Sequence, residues 1–208
     1  MVTDLDLAAE RLIVGHIRAE FPRHRIIAEE SGLLDAADSS WAWLVDPMDG
    51  TNNVAIGLNI YVVGVALCLN GAPMLGVVHD PVSGQTWSAV RGGGTEGPTG
   101  LVPPTERRAG HGGVVAWAQG YGVGRDDPAG QALRLTLESR VRRMLALWAP
   151  LLAWVMLARG DIDGFDGRPF DERIDQPHDL SFVAAHPRTV SSLLDTVRAA
   201  EGVAIDGL

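Results

Sequence analysis

The chain has little of what several functional classes require. It holds one cysteine, Cys68, so no intrachain disulfide can form and no cysteine cluster can bind zinc. Set in the apolar run VVGVALCLN, that cysteine reads as core filling. Positive charge is scarce as well: 17 basic residues face 26 acidic ones, and the net charge of −9 is scattered along the chain. That balance argues against a nucleic-acid partner, because phosphate backbones call for a basic surface. The local exception, Arg134, Arg140, Arg142 and Arg143 with Glu138 interleaved, reads as a solvated helix face. Long apolar runs are missing too. The longest, Ala146 to Ala158, has thirteen residues and contains Pro150. It is too short and too broken to span a bilayer, so a core segment is expected and no membrane partner. Residues 1–6 carry Asp4 and Asp6 where a signal peptide carries Lys or Arg, which predicts a cytoplasmic protein.

What is present describes a folded chain. Apolar residues make up 46% and charged ones 21%, with 25 glycines and 12 prolines. These values predict one domain over residues 1–208, a real core and many loops. Leu5, Ala8, Leu12, Ile13 and Ile17 recur at helical spacing, and Thr3 with Asp6 forms a capping-box start, so a helix is predicted from Thr3 to Phe21 with Pro22 beyond its end. Strands are predicted at Arg25–Ala28 and Trp41–Val45, each running into carboxylates. Three further strands, Tyr61–Leu69, Met74–His79 and Thr86–Val90, are separated by Asn70-Gly71 and by Pro81 to Gly84, which predicts an antiparallel meander. Residues Gly92 to Gly113 read as a long surface loop, Val114–Ala118 as a strand, and Ala129–Glu138 and Leu151–Arg159 as helices. The fold class is α/β (α+β).

The densest chemistry lies in WAWLVDPMDGTNNV, residues 41–54. A buried strand ends at Val45, Asp46 stands at its tip, Pro47 fixes a turn, and Asp49 follows three positions on, so both carboxylates can face one point. With the Met48 carbonyl between them and no His or Cys nearby, this is an oxygen-only donor set that suits Mg²⁺ better than zinc or copper. Gly50-Thr51-Asn52 then supplies unhindered N–H groups and a hydroxyl at a helix start, the geometry that receives a phosphate. Asp-Pro and Asp-Gly are also ordinary turn dipeptides. The combination with a second acid-bearing strand end, Glu29-Glu30, favours a site over a plain turn.

At these residues the sequence resembles the inositol monophosphatase family, whose signature has the form Asp-Pro-x-Asp-Gly-Thr-x-Asn. Here it is Asp46-Pro47-Met48-Asp49-Gly50-Thr51-Asn52-Asn53, preceded by a Trp-containing strand. IIAEESG at 26–32, LNGAPMLGVVHDPVSGQTWSAVRGGG at 69–94 and ARGDIDGF at 158–165 are similar to family segments as well, so the resemblance covers most of the chain. It implies that Glu29, Asp46, Asp49 and the Met48 carbonyl hold Mg²⁺. It also implies that Asp49, Gly50 and Thr51 bind the substrate and its phosphate, and that Thr51 with Glu29 orients the attacking water. The implied activity is Mg²⁺-dependent hydrolysis of a small phosphorylated alcohol such as an inositol monophosphate, by a lithium-sensitive, dimeric enzyme. The implied fold is a layered α/β/α/β/α sandwich of the sugar-phosphatase type, truncated in this chain. Histidinol phosphate, fructose bisphosphate and 3′-phosphoadenosine phosphate are alternative substrates, and Asn52-Asn53 leans towards the inositol type.

Three departures bear on function. The family's first helix precedes the segment that opens here at Met1, and one covering layer is expected to be missing. The family's C-terminal Trp-Asp motif has no counterpart: after Gly160 to Phe165 the chain passes directly to DGRPFDERIDQPHDLSFVAAHPRTV, as though a strand and helix were deleted. Asp163, Asp166, Asp171, Asp175 and Asp179 lack the motif's context and read as turn or solvated acids, and His178 and His186 as loop histidines. A lost carboxylate weakens metal binding, so a weakly active or non-catalytic binding or dimerisation protein is the alternative from another class. Third, a small-residue helix start is replaced by Leu147-Trp148-Ala149-Pro150-Leu151-Leu152. Trp148 and Trp154 are expected to pack in the core, with a pocket wall for a different alcohol as the other reading.

Overall fold

The computed structural model describes residues 3–34, 39–102, 113–118, 126–162, 164–166, 184–185 and 195. Two compact units emerge: residues 1–103 with 148–155, and residues 104–147 with 156–208.

In the first unit, helix α1 (Asp4–Glu20) starts at Thr3, whose side chain accepts from the Asp6 N–H while the Asp6 carboxylate accepts from the Thr3 N–H at 2.7 Å. This reciprocal cap satisfies two donors that a helix start leaves open. The predicted helix is present, and of its predicted apolar positions Ile13 and Ile17 face the core while Leu5, Ala8 and Leu12 do not. Asp6, Glu10 and Ile17 are buried and Ile13 and Val14 pack on the core, whereas Leu5 and Leu12 are exposed at 55% and 67%. The inward stripe is therefore rotated to take in two carboxylates, which hydrogen bonds make tolerable there.

Eight strands form one sheet in the order β2-β1-β3-β4-β5-β6-β7-β8. They are β1 (Arg25–Ala28), β2 (Gly32–Leu34), β3 (Trp41–Asp49), β4 (Val62–Leu69), β5 (Ala72–Asp80), β6 (Gln85–Val90), β7 (Gly94–Gly97) and β8 (Gly100–Leu101), with helix α2 (Thr51–Ala55) between β3 and β4. β1 pairs parallel to β3, and the other pairs are antiparallel. Ile26, Trp43 and Leu67 align across β1, β3 and β4, as do Ala28, Val45 and Val65, and Ile13, Val14 and Ile17 of α1 lie on these two rows. That alternation fixes the register, because a slip of one residue would turn every apolar side chain off the core. Asn70 and Gly71, at φ 52° and 82°, make the predicted tight turn from β4 to β5.

Two corrections concern this sheet. β3 does not stop at Val45: it continues to Asp49 through an irregularity in its pairing with β4, so both acids stand on a bulged strand end. Residues 94–101, expected to lie in a loop, form the β7–β8 hairpin and extend the meander. Backbone pairing needs no side chain, and Gly97 lies so close under Trp87 that a Cβ there would meet the indole at 2.9 Å.

In the second unit, β9 (Val114–Trp117), β10 (Arg143–Leu145), β11 (Gly164–Asp166) and β12 (Ala184–Ala185) form a sheet in the order β10-β9-β11-β12, with β9 parallel to both neighbours. Helix α3 (Pro128–Arg140) is capped by Asp127, whose carboxylate accepts from the Gly130 N–H at 2.6 Å. Helix α4 (Pro150–Arg159) begins in the first unit and ends in the second. The basic cluster is not one helix face, since α3 ends at Arg140 and Arg143 belongs to β10. All four arginines are nevertheless exposed, and Arg134 pairs with Glu138 at 3.2 Å. Trp148 and Trp154 are not core residues either: they are 53% and 37% exposed. Among the described residues no helix is long and apolar enough to cross a membrane. Asp163, Asp171, Asp175, Asp179, His178 and His186 lie outside the described residues.

Candidate active site

The site is assembled in the first unit from the carboxyl ends of β1 and β3, the start of α2, the first turns of α1 and the first turn of α4. β1 and β3 run parallel, so both deliver their following residues to the same end of the sheet. The Glu29 N–H bonds the Val45 carbonyl at 2.9 Å, which ties the residue after β1 to the strand carrying Asp46. The exposed side chain of Glu29 lies close enough to the Asp46 carboxyl to strengthen its hold on a proton. Asp46 also accepts the Met48 N–H at 3.1 Å, a local turn that Pro47 stiffens. Asp49, 7% exposed, accepts the Leu151 N–H from the start of α4 at 2.6 Å.

Burial pushes the Asp46 carboxyl up to about 8, with the nearby Glu29 and Asp49 adding to the effect. Burial likewise raises Asp49, to about 7; the Leu151 and Leu152 N–H groups oppose that rise and Glu29 reinforces it. Acids crowded in low dielectric without a cation hold their protons in this way. Glu29 thus stands near enough to both Asp46 and Asp49 to raise them.

Thr51 opens α2 behind Gly50, whose φ of 108° places it in the left-handed region. A Cβ on Gly50 would meet the Ile60 carbonyl oxygen at 2.6 Å, so glycine is required there on two counts. The Thr51 hydroxyl lies 2.9 Å from the Met48 carbonyl oxygen and 3.1 Å from Asp6 Oδ1. Buried Asn53 donates to the Ile60 carbonyl at 2.8 Å and closes the loop after α2.

Two residues that the sequence did not assign to the site line it. Asp6, 1% exposed, reaches Thr51, and Glu10, 2% exposed, accepts the Glu30 N–H at 2.9 Å and the Ser31 hydroxyl. Together they make α1 the back of the site, one acid holding the threonine and the other holding the turn that carries Glu29. Their signal was in the spacing: Asp6, Glu10, Ile13 and Ile17 fall on one helical stripe, and acids on a buried stripe mark a polar task.

An oxygen-only donor set of this kind suits Mg²⁺. Among the described residues no group of three His, Cys, Asp or Glu side chains is placed to hold a metal ion. Mg²⁺ keeps several waters and takes one or two carboxylates, so Asp46, Asp49 and a carbonyl suffice in kind. The raised carboxyls are those a divalent cation would discharge.

The model of the inositol monophosphatase family matches residues 1–171. The protein named Nus factor SuhB of Pasteurella multocida is 43% identical over 95 residues, which are 46% of this chain and 36% of that relative. Its namesake in Escherichia coli K12 is 40% identical over the same extent. The match therefore spans about a third of the length of these curated relatives. Among solved structures, an IMPase of Thermotoga maritima superposes with a TM-score of 0.81 at 23% identity, over 98% of this chain and 85% of that one. SuhB of Mycobacterium tuberculosis gives 0.80 at 24%, over 95% and 85%. At these identities the structures establish the shared fold, and with the family match they make this chain a member of the inositol monophosphatase family.

Proposed function

We propose that the chain is a Mg²⁺-dependent phosphomonoesterase acting on a small phosphorylated alcohol, with inositol monophosphate the first to test. The observation that carries this reading is the meeting of Glu29, Asp46 and Asp49 beside a threonine hydroxyl backed by a buried carboxylate. In this reading residues 1–208 form one domain of the family, and Glu29, Asp46, Asp49 and the Met48 carbonyl hold the metal. When bound, Mg²⁺ supplies acidity to a water molecule and neutralises charge on the phosphoryl oxygens.

The protein's own groups do the rest. Gly50 and Thr51 receive the phosphate at the start of α2, and Asp49 faces the ester. Thr51 takes a proton from the attacking water at Oγ1 and passes its own towards Asp6 Oδ1, a path the 3.1 Å separation supports. Glu29 orients that water from the other side. No covalent intermediate is needed, since in-line attack requires positioning and charge stabilisation alone. On the same reading the enzyme is inhibited by lithium, acts in the cytoplasm and forms a homodimer.

The test is phosphate release from inositol phosphate, histidinol phosphate, fructose bisphosphate and phosphoadenosine phosphate, with Mg²⁺ and with chelator. Turnover should require Mg²⁺ and fall at least about 1,000-fold in Asp46→Asn, the scale of losing a principal electrostatic contributor. Metal-independent turnover, or an active Asp46→Asn, would defeat the assignment. A second reading, a binding protein with little catalysis, is favoured by the Nus factor name of these relatives. Silence across the panel with Mg²⁺ still bound would select it.

A further inference from the structure

The end of α1 meets the start of β3 through four rings that the acid site does not use. Phe21 ends α1, His24 lies in the turn before β1, and Trp41 and Trp43 open β3. The His24 N–H donates to the Phe21 carbonyl at 3.1 Å, which folds the turn back on the helix end. The imidazole then stacks on Phe21 at 5.0 Å and on Trp41 at 5.9 Å, within 21° and 13° of parallel. Its Nδ1 stands 3.1 Å from the indole nitrogen of Trp43.

The Trp43 bond fixes the state of the imidazole. An indole N–H donates and cannot accept, so His24 Nδ1 is the acceptor and the ring proton sits on Nε2. An imidazolium carries a proton on both nitrogens, and in that form Nδ1 and the indole would be two donors facing each other. Trp43 is 8% exposed, so water is a poor substitute partner for its N–H. His24 is half-buried beside a Phe21 that is 43% exposed, so the imidazole is within reach of solvent protons. A buried donor on a titratable acceptor is a bond that pH can break.

We infer that His24 and Trp43 form a pH-sensitive latch between α1 and β3, closed by the neutral imidazole and released when Nδ1 takes up a proton. The latch is independent of the phosphatase reading. The charged side chains on the elements around His24 are Arg18 and Glu20 at the end of α1, Arg23 in the turn and Arg25 at the start of β1, and β3 carries none before Asp46. Glu20, the acid among them, is exposed, and among the described residues no ion pair holds His24. The faces of Phe21 and Trp41 accept a cation, so the protonated ring can keep its place in the stack while the indole bond is lost. Release therefore frees the side chain of Trp43 and leaves the apolar packing of Ile13, Val14 and Ile17 to hold α1 on the sheet.

The test follows the Trp43 indole N–H by NMR in the full chain as pH is lowered from 8 to 5, the span over which an imidazole changes charge. Trp43→Phe identifies the resonance. In the parent protein the signal should move together with the His24 ring signals, and protection of the indole from hydrogen exchange should fall about tenfold, the scale of one lost hydrogen bond. His24→Asn puts Oδ1 where Nδ1 stood, an acceptor that takes up no proton in this range, so the indole signal and its protection should hold throughout. The acids at the other end of β3 titrate alike in both proteins, and the comparison removes them. An indole that keeps its position and protection in the parent down to pH 5, or that changes equally in His24→Asn, overturns the latch. If His24→Asn does not fold, the ring nitrogens of the parent decide. Nδ1 protonated in step with the loss of the indole bond supports the latch, and Nδ1 still unprotonated at pH 5 overturns it.

Discussion

The two ends of β3 are built from opposite materials. At its start, Trp41 and Trp43 stack with His24, and Phe21 adds ring contacts at 5.0 and 5.4 Å from His24 and Trp43. The Trp43 indole donates to His24 Nδ1 at 3.1 Å, so the polar atom of a buried aromatic is satisfied. At its finish stand half-buried Asp46 and buried Asp49, carboxyls raised first by burial, with Glu29 raising both and Asp49 adding to Asp46. One end stabilises the fold and the other draws on that stability. Helix α1, 17 residues and hence about 25 Å long, spans both: its first turns supply Asp6 and Glu10 to the acids, and Phe21 just beyond its last turn joins the rings. The lesson is that a strained polar site is held by an apolar anchor along the same two elements.

Breaking the anchor should have the largest effect on stability. Trp43→Ala removes a side chain that is 8% exposed and leaves His24 without its donor. A loss of about 4 kcal/mol is expected by denaturant unfolding. The folded fraction should keep its Mg²⁺ affinity, read by calorimetry at low temperature. If that affinity falls as steeply as the stability, the two ends are one unit and the division drawn here is wrong.

Removing the cation tests the other end. Asp46 and Asp49 have folded pKa values of about 8 and 7, against about 4 in an unfolded chain. The folded protein therefore binds more protons than the unfolded one from about pH 4 to pH 8, and stability falls as pH rises through that window. Their contribution is fully present below pH 4 and spent above the folded values. In chelator, unfolding free energy should drop by at least about 2 kcal/mol between pH 5 and pH 8, the share of buried Asp49 alone at about 1.4 kcal/mol per pH unit. Mg²⁺ binds the charged acids, so the rise in Tm it brings should be larger at pH 8 than at pH 6. A Tm in chelator that is flat or rising over this range would mean the acids are not crowded as described.

This division also separates what could be read from the sequence from what could not. The acids of 46–49, Thr51 and the meander were legible because each is announced by its own neighbours: Asp-Pro, Asp-Gly and Asn-Gly set local backbone geometry wherever the chain goes. Asp6, Glu10 and Leu151 act on residues far along the chain, 45 positions for Asp6 and Thr51, 102 for Leu151 and Asp49. No dipeptide announces such a partner. The helix was legible and its buried face only at Ile13 and Ile17, because a pattern that counts apolar residues turns carboxylates outward, and hydrogen bonds reversed that here. β10, β11 and β12 escaped for a related reason: β9 pairs parallel with segments far apart in sequence, through strands of two to four residues that carry little periodicity.

The smallest expected effect concerns Glu10, which belongs to the acidic end by charge and to the anchor by position. Its carboxylate accepts the Glu30 N–H at 2.9 Å and the Ser31 hydroxyl, and so fixes the turn just after Glu29. Glu10→Gln keeps the shape and one acceptor oxygen but gives up the charge, which should cost about 1 kcal/mol in unfolding free energy. If Glu10 only braces the helix, nothing else should change. If it positions Glu29, Mg²⁺ affinity should fall about tenfold, the usual cost of disturbing a residue that orients a metal ligand. Glu10→Ala should lower it further, and Leu12→Ala, on the exposed side of the same helix, should leave it alone. An unchanged affinity in Glu10→Gln and Glu10→Ala would move Glu10 to the anchor and leave Glu29 to be held by its own backbone bond to Val45.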